Sequence, residues 1–151
     1  MKKHLVTATL LASALLLAGQ AMAWEAECKD GKCASSVVAS QSATGKPLLK
    51  LVILFNEDGS NPSLIMMTPL GSSVDSGARL KIDSTEVKLV YKVCYPDGCQ
   101  AFAKLEAAEW ESLNKAKAAQ AQFFEQNSGK LLSADIDLSG FADSVSKVVK
   151  K

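Results

Sequence analysis

The sequence predicts a mainly antiparallel β protein of about eight strands with one or two short helices, most simply a sandwich. Three observations predict it. Segments of strand length alternate apolar and polar residues, as where Val87, Leu89, Tyr91 and Val93 share one face and Lys88 and Lys92 the other. Short turn-forming groups, among them Asp30-Gly31, Asn61-Pro62 and Asn127-Ser128-Gly129, separate these segments. No internal repeat, low-complexity tract or long linker divides the chain, so its 151 residues hold one domain behind an N-terminal leader.

That leader comes first. Lys2 and Lys3 precede an apolar run from Leu5 to Ala18, and Ala21-Met22-Ala23 places small residues before Trp24. This is the pattern of a secretory signal peptide over residues 1–23, with cleavage before Trp24 and the domain over 24–151. The apolar run would reach only roughly 21 Å as a helix, short of a hydrocarbon core of about 30 Å. No transmembrane segment is therefore expected after cleavage.

Residues 24–42 read as two strands around Asp30-Gly31, a pair suited to a loop that needs positive φ twice. Lys29 then faces Lys32, and Cys28 faces Cys33 at a narrow pair where a disulfide forms without moving the backbone. Pro47 opens a dense apolar strand to Phe55, and residues 63–70 form a shorter one stopped by Pro69-Leu70-Gly71. Residues 72–78 read as loop. Two alternating strands follow, ending at Cys94, and Tyr95-Pro96-Asp97-Gly98 makes a turn of the type I kind that leads into a strand from Cys99.

At residues 106–116 the period lengthens, predicting a short helix that turns Trp110 and Leu113 inward. Strands follow over 119–126 and 130–138. The last segment reads as a helix with Ser139 as N-cap, Phe141 and Val145 on its apolar stripe, and Lys147, Lys150 and Lys151 near its end.

Composition narrows function. The full chain carries 17 basic and 16 acidic residues, a balance unlike that of a dedicated nucleic-acid binder. Cleavage removes Lys2, Lys3 and His4, leaving 128 residues, a formal charge of −1 and no histidine. Such a chain cannot assemble a Ser-His-Asp or Cys-His catalytic arrangement or an ordinary histidine metal site.

Four cysteines in an exported chain read first as crosslinks. Each half holds a pair with four residues between, Cys28/Cys33 and Cys94/Cys99, both spanning an Asp-Gly. Two local bridges are the favoured pairing, with crossed pairings as the alternatives. A thiol-active function would call for a shorter Cys-X-X-Cys at a helix start, and a four-cysteine zinc site for free thiolates. Asp135 with Asp137, and Glu57 with Asp58, are the nearest approach to paired catalytic carboxylates, but the first pair falls on a wet strand face and the second in a turn. Met66-Met67 and Phe123-Phe124 each place one large residue outward, a candidate contact patch. The glycines scatter across turns rather than forming a phosphate loop, and no cofactor is expected.

These residues resemble the invasion-associated locus B family. The resemblance rests on Trp24-x-x-x-Cys28, Cys33, Pro69-Leu70-Gly71 with Gly77, Leu80-x-Ile82-Asp83, Tyr91-x-x-Cys94, Gly98-Cys99-x-Ala101, Leu113 and Leu138-Ser139-Gly140-Phe141. It runs from Trp24 to about Val149. It implies a bacterial exported protein of immunoglobulin-like β-sandwich architecture in the periplasm or at the outer membrane. The family's founding members are linked to host-cell invasion, in particular entry into red blood cells, and the family brings no agreed reaction or catalytic residues. Its motif positions look like scaffold, with Trp24 a core aromatic, Gly98 a turn glycine and Ser139 a cap. The chain departs from the pattern at Ser84-Thr85-Glu86, which lacks a turn glycine.

The leading expectation is a non-enzymatic envelope module, periplasmic, outer-membrane-associated or secreted, that binds a protein or another envelope component. The alternative is a periplasmic enzyme using carboxylates, or a thiol-active factor. A concave pocket holding two acids with shifted pKa values would separate the two.

Overall fold

The computed structural model describes residues 23–150. But for Ala23, the expected signal peptide lies outside the described residues. Nine strands and two helices follow in order: β1 (Glu25–Lys29), β2 (Lys32–Gln41), β3 (Pro47–Asn56), β4 (Ser63–Thr68), β5 (Ala78–Ile82), β6 (Thr85–Tyr95), β7 (Gly98–Lys104), α1 (Ala107–Lys115), β8 (Ala118–Phe124), β9 (Leu131–Asp137) and α2 (Phe141–Ser146).

The sandwich expectation, immunoglobulin-like or otherwise, is overturned. All the strands belong to one antiparallel sheet in the order β1-β2-β3-β4-β7-β6-β5-β8-β9, and β9 returns to β2. Strands β2 to β9 thus close an eight-stranded barrel, and β1 lies outside the ring. The closing seam is narrow: Ser40 pairs with Asp135 and Gln41 with Ala134. The Ser42 N–H extends it by donating to the Ser133 carbonyl at 2.9 Å. Alternation predicts one dry and one wet face in a sandwich and in a barrel alike, so it does not separate them.

The dry faces meet inside. Leu51, Ile53, Phe55, Leu64, Met66, Leu80, Ile82 and Leu89 fill the barrel beside Ala101, Ala121 and Ala134, all buried. Mixing small with large inward residues lets eight strands curl round a side-chain core without leaving a channel.

Two long connections cross opposite ends of the barrel. Residues 69–77 pass from β4 to β5 over one end, held where Gln126 N–H donates to the Gly71 carbonyl and Ser73 N–H to that of Phe124, each at 2.7 Å. Below them Thr68 Oγ1 lies 3.0 Å from Tyr91 Oη, and Ser72 Oγ donates to Thr68 Oγ1 at 2.8 Å. The other end is closed by α1 and α2. Glu109 Oε2 accepts the otherwise free N–H of Glu106 at 2.8 Å to start α1, and Leu113 is fully buried beneath it.

Helix α2 corrects two further expectations. Its N-cap is Gly140, without a side-chain bond, and not Ser139, which lies one residue before the cap; the Ser139 hydroxyl and N–H instead donate back to Asp137 Oδ1 at 2.6 and 2.9 Å. The helix also stops at Ser146. Beyond it Val148 and Val149 pack on the core, and Lys150 bonds Glu57 through its backbone N–H to the carbonyl and its Nζ to Oε2 at 2.8 Å. The β5–β6 hairpin, though without a glycine, is tight: Ile82 pairs with Thr85, and Asp83 takes the positive φ of 50° itself.

Candidate interaction surface

The residues singled out by sequence fall into two structural groups and one open face. The first group surrounds the start of β1. Strands β1 and β9 both run antiparallel along one edge of β2, β1 opposite residues 32–36 and β9 opposite 40–41. Trp24 bridges the break between them. Its indole N–H donates to the Asp137 carbonyl at 2.7 Å, and its ring lies 4.8 Å from that of Phe141. Phe141 is fully buried and meets Trp110 edge-on at 5.8 Å, and Trp110 reaches Phe55 at 5.9 Å. This aromatic chain stoppers the helical end of the barrel. Ser35 and Ser144, buried beside it, share a 2.7 Å hydrogen bond that keys α2 to β2.

The cysteines form the second group. Cys28 is bonded to Cys33 and Cys94 to Cys99, with Cα separations of 4.0 and 3.9 Å, and none is free. They bond across β1–β2 and β6–β7, at opposite ends of the barrel. Gly98 opens β7 with φ 148°, and a Cβ there would stand 2.5 Å from the Thr68 carbonyl oxygen, so no other residue fits without moving β4.

The carboxylates do not make an acid–base pair. Among the described residues three have resolved shifts, all downward and all at exposed positions: Asp58, held charged by hydrogen bonds from the Ser60 hydroxyl and backbone; Glu111, by Lys115; and Asp137, by the Ser139 hydroxyl and then its N–H. A general acid near neutral pH needs the opposite shift. Among the described residues no group of three His, Cys, Asp or Glu stands close enough to hold a metal ion.

The outer wall is where the molecule departs from an ordinary wet surface. Register aligns Val52 with Ile65, Ile65 with Phe102, and Phe102 with Val90, an apolar row across β3, β4, β7 and β6. Met67 lies beside it, half-buried, while Val90 is 58% exposed and Leu54 36%. Sequence reading expected one residue of Met66-Met67 and one of Phe123-Phe124 to face outward, and burial of Met66 and Phe123 leaves Met67 and Phe124 outside; it missed the row, since its members come from four separated segments and line up only through pairing.

Charge is sorted around the same wall. Strands β3 to β7 carry Lys50, Arg79, Lys81, Lys88, Lys92 and Lys104 against one acid, Glu86. Strands β1, β2, β8 and β9 carry Glu25, Glu27, Asp135 and Asp137 against Lys29 and Lys32, and Glu25 and Glu27 border the basic strands beside Lys50. At the border a shallow groove of about 280 Å³ is lined by Arg79 and Lys88, by Asp75 and Glu86, and by Val90 and Phe124, with the Arg79 guanidinium 5.6 Å above the Phe124 ring and Gln122 at its edge. Asp135 accepts from Gln120 Nε2, and Gln120 Oε1 accepts from Gln122 Nε2 at 2.6 Å, so the carboxylate orients both amides. Gln122 Oε1 is thereby left buried without a partner.

Comparison with known proteins gives one family. The model of the family described as invasion associated locus B protein matches residues 20–149. Invasion protein B homologues from two Brucella abortus strains, 2308 and 9-941, are each 25% identical over 130 residues, covering 83% of this chain and 75% of theirs. The crystal structure of invasion associated protein b from Bartonella henselae superposes with a TM-score of 0.70 at 18% identity, over 85% of this chain and 92% of that one. At that identity the likeness speaks for the fold.

Proposed function

This chain belongs to the invasion associated locus B family, and from that membership we propose that the mature protein, beginning at Trp24, is a non-enzymatic module of the bacterial envelope, periplasmic or secreted, that works by binding a protein or another envelope component. The observation that carries the reading is where the molecule spends its residues. The barrel is filled by its own apolar side chains, and apolar residues are laid out a second time on its outer wall. A filled barrel is a scaffold, and an apolar row on its outside is a contact surface. The disulfides act as structural crosslinks in hairpins. The relatives' names speak of invasion; a link of this chain to host-cell entry applies where the organism that makes it is a pathogen.

Pull-down of the mature protein from envelope extract tests this reading. Retention of a defined envelope component, lost when Phe102 and Val90 are changed to serine, is the expected result. Turnover of an envelope substrate that disappears in Asp135→Asn or Asp137→Asn would replace it with the carboxylate-enzyme alternative, and rapid thiol–disulfide exchange with the thiol-active one.

A further inference from the structure

We propose that the basic, apolar wall formed by β3, β4, β7, β6 and β5 is a docking face for an anionic lipid bilayer, an inference that rests on the non-enzymatic envelope reading and names its partner. Three features of the wall point to a bilayer surface. Its centre is apolar, with Val52, Ile65, Phe102 and Val90 aligned by register and Met67 beside them. Its strands are predominantly positive, six cations to one acid across five adjacent strands, with Asp75 and Asp97 at the rim where the loops meet it. Apolar residues surrounded by lysines are what a protein lying on an anionic interface presents: the side chains enter the headgroup region while the ammonium groups meet the phosphates.

The third feature is shape. The wall is the convex outside of a barrel, and the groove at its border is shallow. A folded partner would need a matching concavity, whereas a fluid lipid surface conforms. The strand across the ring from β7 fixes the orientation, because Asp135 and Asp137 of β9 are repelled by anionic headgroups and face water when the basic wall is down, while Glu25 and Glu27 border the wall beside Lys50.

The test is flotation of the mature protein with vesicles of phosphatidylglycerol and phosphatidylethanolamine, set against vesicles of phosphatidylcholine alone. Binding to the first and not the second is expected, with release at about 0.5 M salt as charges are screened. The triple variant K50E/K88E/K104E should lose on the order of 100-fold in partition, three cations having left the interface. Val90→Ser, at the most exposed apolar position, should lose about fivefold at any salt concentration. The control triple K29E/K130E/K147E changes net charge equally but away from this wall and should bind as the parent does.

Equal binding to phosphatidylcholine, equal loss in the control triple, or no binding at all would each overturn the inference, as would self-association in solution that K50E/K88E/K104E abolishes, which would make the wall an interface between copies. The salt response of the unaltered protein decides the matter even if a variant fails to fold. A protein partner recovered from envelope extract without vesicle binding would remove the lipid face alone, whereas turnover of a substrate would remove the reading beneath it.

Discussion

The two disulfide hairpins have the same cysteine spacing and the same Asp-Gly pair, yet the pair sits differently in each. In β1–β2 the loop is Asp30-Gly31, both at positive φ, and Lys29 pairs with Lys32. In β6–β7 the loop is Pro96-Asp97; Tyr95 pairs with Gly98, so the glycine has passed into the strand, where it lies against the Thr68 carbonyl. Neighbours differ as well. β6 and β7 are barrel staves paired on both sides, whereas β1 pairs with β2 alone. The same local motif closes a wall in one place and attaches a flap in the other. Beyond its ladder with β2, that flap is held by Trp24 against Phe141 and by the bridge at Cys28.

The largest effect expected is at the ring on which the flap and α2 both rest. Phe141→Ala should destabilise by about 3–5 kcal/mol in denaturant melts, as for a fully buried aromatic. A cost below about 1 kcal/mol would mean that the helical end is not packed as described.

The glycines sharpen the contrast next. Gly98→Ala should cost roughly 3 kcal/mol, combining a strained φ with a backbone overlap. Gly31→Ala, with open space around its Cβ, should cost only about 1 kcal/mol for its φ. Equal costs would break the claim that the two Asp-Gly pairs do different work.

Serine replacement of either cysteine pair comes third. Loops of equal size predict about 2 kcal/mol for each in the chain-entropy account. The distribution should differ: hydrogen exchange should speed up in β1 alone when Cys28 and Cys33 are replaced, and across the barrel when Cys94 and Cys99 are.

Trp24→Phe keeps the ring contact with Phe141 and removes the bond to Asp137, an expected loss of about 1 kcal/mol. The smallest effect belongs to Ser139→Ala. Without a cap to lose, stability at neutral pH should change by less than about 0.5 kcal/mol. The Asp137 carboxyl, followed by NMR titration, should rise toward its ordinary value. Its folded pKa is depressed, so the stability linked to it is present above the unfolded value and lost as pH falls through the folded one, below about pH 4. Ser139→Ala should flatten that acid-side loss.

Local signals in the sequence placed the elements. Period-two alternation, Asp-Gly and Pro-Asp turns, the longer period around Trp110 and the stripe of Phe141 and Val145 placed the strands, the helices and the cysteine-bearing hairpins, though not the cap or the end of α2, because each of these signals is carried by a few consecutive residues. Alternation also named the dry side of β5, β9 and the first part of β6, but past Tyr91 a register shift sets Val93 opposite Gln100, on the outer side and not on the face of Val87, Leu89 and Tyr91 as alternation predicts. Closure of the sheet was not legible in these local signals, because it depends on β2 meeting β9 across some ninety residues through Ser40–Asp135 and Gln41–Ala134, and alternation names a face but never a neighbour. One trace of closure was present in sequence, the inward alanines Ala101, Ala119, Ala121 and Ala134, whose small volumes leave room for the larger residues opposite. The apolar row and the sorted charges of the outer wall were invisible for the same reason. Val52, Ile65, Phe102 and Val90 are unremarkable singly, and they become a surface only when hydrogen bonding sets four strands side by side in one register.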